Sequence, residues 1–295
     1  MLSESVHSVV DSGNEVLLLY GQHRAAKPPD QLHPWGYGRE IYFWSFVVAL
    51  LIFALGAGVS IYEGIVHIRN PEPMSDPLVN FAVYAASAVF EGISWWFGWS
   101  AFQRGRGNRS ILKAVEASKD PPSFMVLFED SAALIGLAIA AVATGCSVYF
   151  GKPWIDGAGS ILIGLVLAGT STLLLRESKS LLIGERADPA LVESLLAIAN
   201  AACGRSRANG VLTIHLAPDQ VMAAMSFEFD DALTAPQIEQ MIADIEQRIR
   251  DAHPEVTSLF IKPQSPGQYA KAVRDKFGDD PADTAWDSQA PAVDA

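Results

Sequence analysis

The chain has 295 residues and a formal net charge of -12 at pH 7, and 50% of its residues are hydrophobic. Its mean hydropathy is +0.21 although the C-terminal part is polar. The acidic balance argues against nucleic acid as a partner, because carboxylates and phosphates repel each other. The two cysteines, Cys146 and Cys203, lie in different environments, so we expect neither a disulfide nor a cysteine-based metal motif.

The first segment, residues 1–20, combines the apolar spacing of a helix with several polar residues. His7 and Asp11 are four residues apart and would share one face of a helix. We expect that face to be shielded inside a membrane bundle, where ionisable groups are costly and usually serve a pathway or a metal. A neutral imidazole and a carboxylate are also suitable ligands for zinc or a similar divalent ion.

Four long stretches with almost no charge follow. Residues 41–62, 131–151 and 157–175 carry no charged side chain, and residues 77–99 carry only Glu91. A membrane-spanning helix needs about 20 apolar residues, so these stretches and the first segment predict about five transmembrane helices. Three tryptophans near the end of one stretch predict an interfacial belt: Trp95, Trp96 and Trp99.

The charges between these stretches predict the topology. Basic residues concentrate in the connections at 24–39, 104–119 and 176–186, and the other connections contain few. Since basic loops stay on the cytoplasmic side, these loops and the whole C-terminal part are predicted to be cytoplasmic, with the N-terminus outside. The sequence has no transit-like leader, which favours a bacterial inner membrane as the location.

A soluble part begins near Gly184. Its apolar spacing predicts a helix, two strands, a second helix after a capping box at Thr234 and Gln237, and a last strand. The first helix and the three strands are predicted at 189–203, 211–217, 221–229 and 256–262, and the second helix, which follows Thr234, buries apolar residues from Ile238 to Ile249. The order αββαβ indicates a small α+β domain of ferredoxin-like type.

The change in composition divides the chain into three parts. Residues 1–183 form the predicted α-helical membrane bundle, and residues 184–264 form the predicted ferredoxin-like domain. Residues 265–295 are polar and acidic, and they are predicted to be disordered because they cannot bury enough apolar surface.

Several of these motifs together resemble the cation diffusion facilitator family. The stretch from His7 to Asp11 and the loop at 28–40 resemble the second helix of that family and the loop after it. Asp130 falls where the fifth helix of the family carries an acidic ligand, and Asp156 resembles the start of its sixth helix. The resemblance extends to about residue 264 and is strongest to the branch that contains the mitochondrial zinc exporter.

The resemblance implies a homodimeric exporter of zinc or a related divalent cation, which exchanges the cation for a proton across a lipid membrane. No cofactor other than the transported cation is implied. The metal site of the family is a tetrahedron with two residues from each of the second and fifth helices. His7, Asp11 and Asp130 match three of these residues, and His7 is the implied group at which proton and metal compete.

The fourth position of that site is occupied here by Val126, which cannot bind a metal. Asn14, one turn beyond Asp11 on the same face, is the first candidate to replace it. Glu129 is a weaker candidate, because it is adjacent to Asp130 and points about 100° away from it around a helix. A water molecule is the third.

The family has one more span before the helix that contains His7. The expectation from this comparison is that either the start is placed too late or the protein is a shortened form. Two other classes of function therefore stay open. A non-transporting relative that scaffolds or regulates a partner transporter agrees with Val126, whereas an intramembrane metalloenzyme lacks support because there is no H-E-x-x-H motif.

Asp30 and His33 resemble a second, cytoplasmic metal site of some family members. Tyr37 stands where those members have another histidine, so a structural role in the loop is the preferred interpretation. In the soluble domain, the only histidines are His215 and His253. We expect no metal site there, and a role in dimerisation through the sheet.

Overall fold

The computed structural model describes residues 2–71, 77–107, 110, 111, 114, 115, 118–201 and 205–278, and side chains from Ser12 onward. The chain divides into two compact units, Met1–Ile183 and Gly184–Ala295. The helices of the first unit are α1 (Leu2–Ala25), α2 (Glu40–Leu51), a π-helical segment (Ile52–Ala57), α3 (Gly58–Arg69), α4 (Pro77–Arg106), α5 (Pro121–Phe150) and α6 (Trp154–Ile183).

Four helices of the described residues are long and apolar enough to cross a membrane. They are the continuous helix from α2 to α3, and α4, α5 and α6, each of 30 residues. At 1.5 Å per residue each is about 45 Å long, which exceeds the hydrocarbon thickness of about 30 Å. Helix α1 has 24 residues but does not belong to this set, because its polar residues lower its hydropathy. Four of the described helices therefore meet the length and hydropathy expected of a membrane span, whereas the sequence predicts about five spans.

Helix α5, which carries Asp130, has clear signals at both ends. Asp120 precedes it, and Pro121 and Pro122 occupy its first turn, where no intrahelical N–H is needed. It ends at Gly151, whose φ of 63° is the left-handed conformation that glycine adopts without strain. The Gly151 N–H donates to the carbonyls of the last turn. Asp130 thus lies about 14 Å along the helix from its start.

Small residues bring α3 and α6 into close contact. A Cβ atom added at Gly64 would lie 2.6 Å from the carbonyl oxygen of Gly157, so only glycine permits this approach of the two backbones. Small residues at helix interfaces are typical of membrane bundles, because van der Waals packing drives their association. The α3–α6 pair is therefore a tightly packed element of the bundle.

Helices α4 and α5 are joined through Trp95. Its Nε1 donates to Ser131 Oγ at 2.9 Å, and its ring stacks on Trp99 with centroids 5.5 Å apart. Both rings pack against the buried cluster of this unit, whereas Trp96 is 65% exposed. Helix α4 continues to Arg106, and the interfacial belt stays a prediction.

The second unit contains α7 (Pro189–Ala201), β1 (Arg207–Ala217), β2 (Gln220–Glu228), α8 (Ala235–Ala252), β3 (Val256–Pro263) and α9 (Pro266–Phe277). Strand β2 is central; it pairs antiparallel with β1 and parallel with β3. The predicted membrane bundle and small α+β domain are both confirmed, and so is the capping box at Thr234 and Gln237.

The core of the second unit lies between one face of the sheet and the helices α7 and α8. Alternate residues of β2 point into it, as strand periodicity requires. The fully buried set includes Leu195, Val221, Met225, Phe227, Ile245 and Ile249. The hydrophobic effect from this cluster is what holds the unit together.

The prediction of disorder from residue 265 is wrong for residues 266–277, which form α9. Pro266 starts the helix, and Tyr269 packs closely over Gly210 of β1, where even a Cβ atom would meet the phenol oxygen. None of residues 266–277 is buried, but this contact places α9 against β1, which its polar composition alone does not predict. The acidic residues 279–295 lie outside the described residues.

Candidate metal site

Helix α1 is fixed on α2 by a polar cluster at the end of α1. Arg24 Nη2 donates to Glu40 Oε1 at 2.7 Å, and Trp44 Nε1 donates to Glu40 Oε2 at 2.8 Å. Gly21 allows the close approach, because a Cβ atom there would lie 2.7 Å from Trp44 Cβ. These contacts set the position from which α1 presents its polar face.

The polar face of α1 reaches α5 through Asn14. This side chain is 1% exposed, and its Nδ2 donates to Glu129 Oε1 at 2.9 Å. The two residues are 115 positions apart in the chain. The structure therefore brings together the two residues that the sequence offers as replacements for the missing fourth ligand.

The oxygen end of the Asn14 amide is different. Asn14 Oδ1 is buried and has no hydrogen-bond partner among the described residues. Buried carbonyl oxygens are nearly always paired, because an unpaired one loses its interaction with water without replacement. The Asn14 side chain thus places a neutral carbonyl oxygen beside the Glu129 carboxylate.

Asp130 follows Glu129 directly and is 8% exposed. A buried carboxylate in an apolar bundle is costly, and such groups usually have a function. The residues before it, from Phe124 to Leu127, belong to or pack against the buried cluster of this unit. Val126 is part of that packing, so the fourth position of the predicted tetrahedron is filled by an apolar contact.

His7 and Asp11 lie on α1, seven and three residues before Asn14. Their side chains are outside the described residues, so their place in the site stays a prediction. At 100° per residue, His7 and Asn14 are about 20° apart around the helix. The backbone of α1 therefore places His7, Asp11 and Asn14 on one side.

A second polar link crosses the bundle, and the sequence offers no signal for it. Thr144 is fully buried on α5, and its Oγ1 donates to Asp156 Oδ1 of α6 at 3.0 Å. Tyr84 of α4 lies 3.3 Å from the same Oγ1. Since the Thr144 proton is used for Asp156, Tyr84 is the donor. This link is about 21 Å along α5 from Asp130.

The loop between α1 and α2 is organised around Asp30. Its Oδ1 accepts from the backbone N–H groups of Leu32 and His33 at 2.9 and 2.7 Å, and its Oδ2 accepts from the Tyr37 hydroxyl at 2.6 Å. The hydrogen bond from Tyr37, with those from the backbone, lowers the pKa of Asp30. The same bond raises the pKa of Tyr37. These bonds support the structural interpretation of Asp30 and His33.

The two histidines of the second unit make ordinary hydrogen bonds. His215 Nδ1 lies 3.2 Å from the Ala217 carbonyl oxygen, and His253 lies between Ser194 at 2.7 Å and Glu255 at 3.2 Å. Within the described part of the chain, no group of three or more His, Cys, Asp or Glu residues could hold a metal ion. That search does not include the side chains of His7 and Asp11.

Four long apolar helices around a buried amide and two carboxylates define an integral membrane protein with a polar site inside its bundle. The comparison with protein families makes this specific. The family model described as the cation efflux transmembrane domain matches residues 1–183. The chain belongs to the cation efflux family, and not to a family of enzymes.

Curated relatives are similar over about two thirds of the chain. The mitochondrial proton-coupled zinc antiporter SLC30A9 of Xenopus laevis is 34% identical over 197 residues, which are 66% of this chain and 35% of the relative. The human protein of the same name is 32% identical over 197 residues, which again are 66% of this chain and 35% of the relative. Metal tolerance protein C4 of Arabidopsis thaliana is 34% identical over 190 residues, 64% of this chain and 42% of the relative. The chain thus spans well under half of these relatives.

Proposed function

We propose that this protein exports a divalent metal cation across a membrane. The observation that carries the proposal is the pair of buried polar residues Asn14 and Asp130, with the partly buried Glu129, within a bundle that matches the cation efflux transmembrane domain. The buried carboxylate of Asp130 is a type of ligand that divalent cations use in proteins. In this proposal His7 and Asp11 of α1 join Asp130 as metal ligands.

Zinc as the cargo and a proton as the exchanged ion are the finer parts of this proposal. Two of the relatives are named proton-coupled zinc antiporters, and this supports both parts. A histidine with carboxylates suits zinc, but cobalt, iron, manganese and cadmium can use the same ligands. The proposal also includes a homodimer formed through the second unit, a bacterial inner membrane and a cytoplasmic location for that unit.

The test is zinc uptake into proteoliposomes that contain the full chain, with an imposed pH gradient and Asp130→Ala as the control. Uptake that depends on the gradient and is lost in the control is the expected result. Zinc uptake that is independent of the pH gradient would contradict proton exchange. Equal uptake by the wild-type protein and Asp130→Ala would contradict transport through the proposed site.

A non-transporting scaffold is the second candidate function, and the packing of Val126 favours it. An apolar side chain at a ligand position is expected of a relative that has lost metal binding. In that case the chain would co-purify with a full-length relative, and neither zinc binding nor zinc flux would depend on Asp130.

A further inference from the structure

We propose that Ser194 is a nucleophilic serine, activated by His253 and Glu255, and that it is a site of covalent modification by acyl esters. The three residues belong to the second unit: Ser194 lies on α7, His253 follows the last residue of α8, and Glu255 precedes β3. The modifying compound is an ester or thioester with a good leaving group. The proposal is independent of cation export, because none of the three residues belongs to the membrane bundle.

The first step is a line of two hydrogen bonds. Ser194 Oγ lies 2.7 Å from His253 Nε2, and His253 Nδ1 lies 3.2 Å from Glu255 Oε1. A hydroxyl within reach of an imidazole, which a carboxylate orients in turn, is the arrangement that activates serine nucleophiles. Ser194 and His253 are 59 positions apart in the chain, so only the fold brings them together.

The second step is the tautomer of the imidazole. The ionised Glu255 carboxylate only accepts hydrogen bonds, so its contact with His253 requires a proton on Nδ1. In the neutral ring Nε2 then carries no proton, and it accepts from the Ser194 hydroxyl. The proton of Ser194 therefore points at a base, and the lone pairs of its oxygen stay available for attack.

The third step is the fixed position of both groups. The His253 N–H donates to the Ile249 carbonyl at 2.7 Å, and the His253 carbonyl accepts from the Val256 N–H at 3.0 Å. Leu195, which follows Ser194, is fully buried in the same cluster as Ile249. The hydroxyl and the base are thus carried by segments that the core holds in place. This lowers the entropic cost of reaching the reactive geometry.

The fourth step is access from solvent. The side chains of His253 and Glu255 are 20% and 39% exposed, and Ser194 is partly buried. The three residues therefore lie at the border between the core and the surface of the unit. A small ester can approach Ser194 from the solvent side while the core remains packed.

The reaction is the transfer of an acyl group to Ser194. Its Oγ attacks the carbonyl carbon of the ester, and its proton passes to His253 Nε2. The bond from Oγ to the acyl carbon forms, and the bond from that carbon to the leaving group breaks. The leaving group departs with the electron pair of that bond, and the proton then passes from His253 to the leaving group or to water. Glu255 stabilises the imidazolium while it holds the proton.

The test treats the purified full chain in detergent micelles with p-nitrophenyl acetate, and peptide mass spectrometry measures the rate of acetylation at each serine. Ser258 of β3 is the internal reference, because it is also partly buried and, among the described residues, has no hydrogen bond to a histidine. A general base contributes a factor of about 100 to 10,000. Ser194 should therefore react at least about 100 times faster than Ser258.

Two variants separate activation from simple exposure. His253→Gln keeps a hydrogen-bonding side chain but removes the base, and it should lower the acetylation rate of Ser194 by at least about 100-fold. Glu255→Gln leaves the imidazole in place but no longer requires the proton on Nδ1, so it should also lower this rate. The acetylation rate of Ser258 should be unchanged in both variants, which shows that the unit remains folded.

A second measurement uses the unmodified protein and does not depend on the folding of any variant. ¹⁵N NMR of the His253 ring should place the proton of the neutral imidazole on Nδ1. A proton on Nε2 would overturn the proposal, because the ring could not then accept the proton of Ser194.

Two results of the acetylation experiment would also overturn the proposal. One is a Ser194 that reacts no faster than Ser258. The other is equal acetylation of Ser194 in the wild type and in His253→Gln, since the hydrogen bond would then only tie α7 to the end of α8. Neither result would affect the proposal of cation export, which is tested by zinc uptake.

Discussion

The link between Tyr84, Thr144 and Asp156 predicts a measurable loss of stability when the central hydroxyl is removed. Thr144→Val keeps the shape of the side chain and replaces the hydroxyl by a methyl group. The change removes the donor to Asp156 at 3.0 Å and the acceptor for Tyr84 at 3.3 Å. Both bonds join different helices, so the loss concerns the packing of α4, α5 and α6.

The magnitude follows from the surroundings of the two bonds. Hydrogen bonds between membrane helices contribute about 0.6 kcal/mol on average and up to about 1.7 kcal/mol. The bond to Asp156 should be near the upper value, because Thr144 is fully buried and the bond joins two helices. The longer contact with Tyr84 should be near the average. We therefore expect Thr144→Val to lower the free energy of unfolding by about 2 kcal/mol.

The assay is unfolding of the purified chain in mixed micelles of increasing SDS content, followed by circular dichroism. Thr172→Val is the matched control, because the Thr172 hydroxyl is exposed and, within the described part of the chain, donates to the Ala168 carbonyl of its own helix at 2.6 Å and to no other helix. The control should change the free energy of unfolding by less than about 0.5 kcal/mol.

A double-mutant cycle with Tyr84→Phe adds a second check. If Thr144 and Tyr84 interact, the sum of the losses in unfolding free energy of the two single variants should exceed the loss of the double variant by about 0.6 kcal/mol. Equal stability of Thr144→Val and Thr172→Val would show that this link contributes nothing, and the reasoning from its geometry would be wrong.

Three further predictions concern the loop and the second unit. Phe227 is fully buried, so Phe227→Ala should lower the free energy of unfolding of the second unit by about 3–5 kcal/mol in a denaturant titration. Phe260 is 52% exposed, and Phe260→Ala should have a much smaller effect in the same titration. Thr234→Ala removes the capping box of α8 and should cost about 1 kcal/mol in the same titration; an unchanged midpoint would show that the cap is dispensable. Tyr37→Phe removes the main cause of the lowered pKa of Asp30, which should rise toward its ordinary value in a ¹³C carboxyl NMR titration. The lowered pKa of Asp30 stabilises the folded loop at pH values above the pKa of an unfolded aspartate. This stabilisation is lost as the pH falls through the pKa of Asp30 in the folded loop, so acid should disrupt the variant loop at a higher pH than the wild-type loop. Identical titrations of Asp30 in both proteins would contradict this.

The family and the architecture could be predicted from the sequence, because both depend on features that are local in the chain. Long uncharged stretches predict membrane helices, and alternating or helical apolar spacing predicts the elements of the second unit. Helix α9 was not predictable in this way. Its composition is polar, and its contact with β1 joins Tyr269 and Gly210, which are far apart in the sequence.

Candidate ligands were visible in the sequence as residue types, but their roles depend on neighbours in space. Asn14 and Glu129 are 115 residues apart, and no pattern in the chain predicts their hydrogen bond. Trp95 illustrates the same limit: no sequence pattern predicts that its indole donates to Ser131 of α5.

The sequence by itself determined which segments are apolar enough to enter a membrane and which carboxylates and imidazoles lie within them. That information is local, since hydropathy and helical spacing depend only on neighbouring residues. The tertiary structure alone decided that the amide of Asn14 is held at one end by Glu129 and, among the described residues, has no hydrogen-bond partner at the other. The reason is physical: a hydrogen bond and the burial of an atom are properties of two segments brought together, and only the packing of α1 against α5 fixes them.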